Sequence, residues 1–188
     1  MKILSESAMN TRKLATMGIM AGLSVALVFL IRFPIFPQAP FLEYDPADIP
    51  ILVVTFAYGP LAGLVVTIAA SVVQGFTVSA HSGFYGIIMH IISTGSFVLT
   101  AGIIYNKKHS RLGAGIALVC GVAVSAAVMA AANLVITPLF MGVPVEVVRA
   151  MLIPIIIPFN LVKSGINGAV TFVLYKFISN FIKGRNRD

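Results

Sequence analysis

The sequence predicts an all-α integral membrane protein. It has six transmembrane helices in a single transmembrane domain spanning residues 1–188, with both termini cytoplasmic. A long extracellular loop joins helices 1 and 2, and no soluble domain is attached. Three observations carry this. First, 59% of the 188 residues are hydrophobic and 10% are charged, whereas a soluble domain carries roughly 25% charged residues. Second, apolar runs recur along the whole chain, so a cleaved leader does not account for them. Third, the basic residues behind the net charge of +7 cluster at the ends of those runs. That pattern points to membrane topology and away from a nucleic-acid partner.

The first run covers residues 14–31 and follows Arg12 and Lys13. The loop "FPIFPQAPFLEYDPADIP" comes next, rich in proline and acid. The second run, residues 49–58, ends at Gly59–Pro60. Ten helical residues rise only about 15 Å, so it is either a short helix entered from the loop at Asp48 or a re-entrant segment. The third run is 61–78 and the fourth 87–105, closed by the basic "NKKHSR". The fifth is 112–136, ended by Thr137–Pro138. A second outer loop, 139–150, leads into the last run, 151–182.

With six spans, Lys2, Arg12, Lys13, Lys107, Lys108, Arg111, Lys176, Lys183, Arg185 and Arg187 fall on one side, and Arg32 and Arg149 on the other. The positive-inside rule makes the first side cytoplasmic. Of the 13 basic residues only Lys163 remains, and it does not lie in a loop.

Depth then sorts the polar residues. Gln74, Tyr85, His90, Asn133, Asn160 and Lys163 all fall in the outer half, beneath the loop that carries Phe41, Leu42, Glu43, Tyr44, Asp45 and Asp48. Prolines stiffen that loop, and a long, stiff, partly apolar loop over a polar cavity reads as a binding loop or lid. Asn160, Lys163, Ser164 and Asn167 have i, i+3, i+4, i+7 spacing and share one helix face. A polar stripe at that depth must face protein or water. The competing reading has Lys163 snorkelling to the headgroups, which does not require the asparagines beside it. Asn133, Asn160 and Asn167 have a competing reading as helix–helix hydrogen bonds. Gln74 and His90 read as structural rather than ligand-binding.

Absences narrow the chemistry. There is no phosphate-binding G-x-x-x-x-G-K-[ST], no H-E-x-x-H and no G-x-S-x-G. His81, His90 and His109 lack metal-ligand spacing. Cys120 is the only cysteine, so no intrachain disulfide forms. No Asp or Glu lies within an expected span. No catalytic residue, metal or cofactor is expected. Gly18, Gly22 and Ala26 form a small-residue ridge that serves either packing within the chain or docking of a partner membrane protein.

On "FLEYDPADIPILVVTFAYGPLAG", "NLVITPLFMG" and "IPFNLVKSGING" the chain resembles the substrate-binding S components of energy-coupling-factor (ECF) vitamin importers, and specifically their riboflavin type. The resemblance covers nearly the whole chain. It implies a protein of the bacterial plasma membrane that captures riboflavin from outside. Its partners would be a transmembrane coupling protein and two cytoplasmic ATPases, whose ATP hydrolysis reorients it. It implies ligand contacts at Leu42, Glu43, Tyr44, Asp45, Asn133, Thr137, Asn160, Lys163 and Asn167. The family's coupling motif, A-x-x-x-A, reads here as Gly18, Gly22 and Ala26.

Flavin chemistry agrees. An asparagine amide matches the donor–acceptor edge of the isoalloxazine ring. Lys163 suits carbonyl or ribityl oxygens, and Glu43 or Asp45 suit ribityl hydroxyls. Phe41, Tyr44 and Tyr85 suit the ring faces. A buried ammonium disfavours cationic thiamine. Three alternatives compete: an S component for another vitamin, a passive channel, and an intramembrane enzyme using His90 and Lys163. A channel needs polar lining through the full depth, and the enzyme lacks a carboxylate within a span.

Overall fold

A computed structural model describes residues 2–175, with side chains from residue 11 onward. Lys176, Lys183, Arg185 and Arg187, which support the expected cytoplasmic side, lie outside the described residues, as does the end of the last expected run. Each of the six apolar runs falls on a helix. They are α1 (Lys2–Leu30), α2 (Asp48–Tyr58), α3 (Pro60–Phe76), α4 (Gly83–Lys107), α5 (Arg111–Met141) and, in its described part, the last helix (Ile157–Val173). A further short helix, α6 (Val145–Met151), lies where loop was expected, so the last helix is α7. A π-helical stretch, Leu152–Ile156, joins α6 to α7.

Among the described residues, four helical stretches are long and apolar enough to cross a membrane: Thr11–Leu30, Ala80–Lys107, Arg111–Met141 and Val145–Val173. The chain is an integral membrane protein by these stretches. Helices α2 and α3 are shorter, at 11 and 17 residues, or about 16 and 26 Å. Gly59 separates them at φ 94°, a left-handed value open to glycine. Pro60 then opens α3, where a missing N–H costs nothing. Most of α2 is buried, including Ile51, Leu52, Val54 and Phe56. It lies within the helical body, which is why ten apolar residues in a row suffice for it.

Two sequence expectations are corrected. Helix α5 does not stop at Thr137–Pro138 but runs three residues further. Pro138 removes one backbone donor a turn from the end, where little ladder remains to lose. Gly142, at φ 66° and ψ 32°, then caps the helix in the left-handed conformation. The outer loop 139–150 is therefore largely helical. Asp48 opens α2, as the short-helix reading has it, and is 2% exposed. A carboxylate in the first turn is favoured by the helix dipole.

The core is a cluster spanning α2 to α5, with Phe97, Val98, Ile51, Leu52 and Val66 inside it. Gly121 lets α5 close on α4, for a Cβ there would sit 2.5 Å from Phe97 Cδ2. A second cluster fixes the loop: Ala39 and Leu42 pack on Val148 of α6, Ile156 and Phe159. The loop also holds a minimal antiparallel ribbon, β1 (Phe33–Pro34) with β2 (Glu43–Tyr44), in register Phe33↔Tyr44 and Pro34↔Glu43. The long proline-rich connection is thus a packed roof. Gly18, Gly22 and Ala26 are exposed, and no atom lies within 4 Å of a Cβ built on either glycine. Packing within the described chain is not what this ridge serves.

Candidate functional site

Beneath that roof lies a cavity of about 970 Å³, counting its open mouth. Its walls come from α3, α4, α5 and α7. Of the expected contact residues, Leu42, Glu43, Asp45, Tyr85, Asn133, Thr137, Asn160 and Lys163 line it. Tyr44 and Asn167 are not among its lining residues.

These two instead tie the roof to α7. Asn167 Nδ2 donates to the Asp45 carbonyl at 3.0 Å and to Asp48 Oδ2 at 2.9 Å. Its Oδ1 accepts from the Tyr44 hydroxyl at 3.1 Å. The Tyr44 phenol is pushed above its ordinary value, first by burial and then by Asp45 and Asp48, which keeps its proton in place to donate. Asp48 Oδ1 accepts from Thr94 on α4 at 2.6 Å. One asparagine thus joins loop, α2 and α7, and its carboxylate partner reaches α4.

Lys163 is paired. Its Nζ lies 2.6 Å from Asp45 Oδ2, with both side chains largely buried. Burial opposes ionisation of Asp45. The Lys163 ammonium, then His90, then hydrogen bonds from Lys163 and the Ala47 N–H outweigh it, and the carboxyl lies below the usual carboxylate range. Lys163 therefore balances Asp45 rather than Glu43. Snorkelling does not describe it, because its ammonium turns to the loop carboxylate. Glu43 pairs with Arg32, Nε to Oε2 3.3 Å, and lies 3.7 Å from His81. Arg32 also donates to the Val78 carbonyl and to Ser79 Oγ, stitching the ribbon to the α3–α4 connection.

The other asparagines bond within their own helices. Asn133 Nδ2 donates to Met129 O at 2.8 Å, and its Oδ1 accepts from Thr137 at 2.7 Å. Asn160 Nδ2 donates to Ile156 O at 2.8 Å. Neither bond crosses helices, so interhelical bonding is not the role of either in these contacts. Each amide carries a second N–H as well. At the mouth, Phe140 bridges Phe41 and Tyr85, with ring centroids 6.5 and 6.0 Å away. This gives aromatic walls near polar ones, a combination suited to a flat heteroaromatic ligand.

Sequence reasoning passed over several lining residues. The sequence marks Arg32 only through topology and reads Gln74 and His90 as structural, yet all three line the cavity with Ser71 and Phe140. His90 Nδ1 lies 2.7 Å from Ser71 Oγ, and its Nε2 lies 3.9 Å from Asp48 Oδ1. The order resembles a nucleophilic triad, but the Ser71 hydroxyl donates to Thr67 O at 2.6 Å. His90 is therefore the donor between them and does not draw a proton from Ser71. No group of residues among those described could hold a metal ion.

The sequence profile of the family described as "ECF transporter, substrate-specific component" matches residues 12–175. Riboflavin transporter RibU of Staphylococcus aureus (strain TCH60) is 28% identical over 181 residues, covering 93% of this chain and 94% of that one. Riboflavin transporter FmnP of Bacillus subtilis (strain 168) is 29% identical over 184 residues, with 93% of each covered. A solved structure of the S component of a bacterial ECF transporter superposes with a TM-score of 0.80 at 28% identity, over 93% of this chain and 99% of the other. A profile match across most of the chain, on a fold shared with a solved S component, shows that this chain belongs to the ECF transporter substrate-specific component family.

Proposed function

We propose that this chain is the high-affinity riboflavin-binding subunit of an ECF-type importer in a bacterial plasma membrane. The observation that carries the reading is the cavity itself. Buried amides and a charge pair stand beside an aromatic mouth under a packed loop, in a chain matched nearly end to end by two riboflavin transporters. Leu42, Glu43, Asp45, Tyr85, Asn133, Thr137, Asn160 and Lys163 contact the vitamin, and Tyr44 and Asn167 hold the roof that covers it. The chain acts as one domain of six spans, termini inside and loop outside. The exposed ridge of Gly18, Gly22 and Ala26 docks a transmembrane coupling protein that carries two cytoplasmic ATPases. Those ATPases supply the energy, since this sequence has no phosphate-binding loop of its own.

Protein purified in mild detergent should be yellow, or should quench the fluorescence of added riboflavin. A colourless protein that leaves micromolar riboflavin unquenched refutes the reading. A panel including thiamine and biotin separates riboflavin from another vitamin.

A further inference from the structure

Gln74 stands on α3, two residues before that helix ends, and is 5% exposed. It lines the cavity. Its Nε2 is the one buried side-chain nitrogen or oxygen among the described residues without a hydrogen-bond partner. Its neighbours are satisfied. Ser71, one turn earlier, bonds Thr67 and His90. Ser79 accepts from Arg32.

The backbone there is also fixed. The Gln74 carbonyl accepts from the N–H groups of Thr77 and Ser79. Gly75 presses α3 against α4, where a Cβ would fall 2.1 Å from Ile87 Cγ1. These contacts fix the backbone that carries the amide; Nε2 itself is closed off from the cavity, and a turn of the side chain brings it to a ligand. A buried donor left unpaired is costly, and hydrocarbon cannot relieve it.

The helices around the cavity pack in the order α3, α4, α5, α7. Gln74 stands at one end of that arc and Lys163 at the other. The contacts that the resemblance implies come from the loop and from α5 and α7, and none from α3. We propose that Gln74 is a specificity-determining residue whose side chain turns on binding so that Nε2 donates to an acceptor atom of the vitamin, giving the cavity a recognition element on α3. The inference rests on the riboflavin reading and adds to it. The ligand is gripped from both ends of the arc, and an analogue without an acceptor at α3 leaves the Gln74 donor unmet.

The test compares wild type, Gln74→Leu and Gln74→Glu by flavin-fluorescence titration and by ligand-free thermal denaturation in detergent. Gln74→Leu should weaken riboflavin binding about tenfold or more. Its ligand-free melting temperature should hold or rise, because carbon replaces an unmet donor. Gln74→Glu, which puts a carboxylate against an acceptor, should bind more weakly still.

Lumiflavin, which lacks the ribityl arm, locates the acceptor. Loss for both ligands places it on the ring, and loss for riboflavin alone places it on the arm. Both results support the proposal. Affinity within threefold of wild type in both variants overturns it. So does an affinity loss accompanied by a lower ligand-free melting temperature, the signature of a packing role. Wild type that ignores riboflavin overturns the underlying reading and this proposal with it.

Discussion

Replacing Asn167 with alanine should release the roof even when no ligand is bound. Asn167 makes one bond to a carboxylate and two to neutral groups. A hydrogen bond to a charged group contributes about 1.5–3 kcal/mol and a neutral one about 0.5–1.5. Bonds sharing one side chain do not add fully, so about 3 kcal/mol is the working figure for the tether. That corresponds to roughly a hundredfold rise in the fraction of open loop. Hydrogen–deuterium exchange on ligand-free protein reads this directly. The amides of Glu43, Tyr44, Asp45 and Ala47 should lose about two orders of magnitude of protection, while those of α5 stay unchanged. If exchange in the ligand-free loop is unaltered and only riboflavin affinity falls, Asn167 is a ligand contact and the tether argument is wrong.

Three more predictions concern the charge pair and the core. Lys163→Met strands Asp45 as a buried carboxylate and should cost about 3–5 kcal/mol of ligand-free stability. Adding Asp45→Asn should recover much of that, whereas additive losses in a double-mutant cycle would show the two residues to be uncoupled. The folded-state value of Asp45 is depressed. Its contribution to roof closure is therefore complete above the ordinary carboxylate value of about 4 and is lost as pH falls through the depressed one. Loop exchange in wild type should rise on that acid limb, and Asp45→Asn should lack the limb. Gly121→Val should impair folding by driving a side chain into Phe97, giving lower yield and a lower melting temperature, whereas exposed Gly18→Val should fold normally.

The helical runs were legible because hydrocarbon demands long apolar segments, and composition records that demand. The stripe of Asn160, Lys163 and Ser164 was legible from helical periodicity. Asn167 shared the stripe, but it lies about 10 Å along the axis from Asn160. That distance takes it past the cavity wall to the base of the roof. Spacing gives the face of a helix but not which neighbour meets each turn. The burial of Asp48 was hidden for a related reason, since its partners, Thr94 and Asn167, come from helices remote in sequence. Gln74 looked structural because a lone amide in an apolar run usually finds a protein partner. Only the assembled neighbourhood reveals that its nitrogen has none. The fifth helix was cut short in sequence because proline is a breaker in the middle of a helix, and its tolerance one turn from the end depends on where the cap falls.

The five-residue π stretch before α7 acts as a phase adjuster. Each α-helical residue advances the chain by about 100°, so excising one residue from 152–156 would rotate everything downstream by more than a quarter turn. Lys163 and Asn167 would swing to the places now held by Val162 and Ile166, which are exposed, and Asn160 to that of Phe159, which is buried. A length change of one residue in an apolar stretch would thus disable the site as thoroughly as mutating all three.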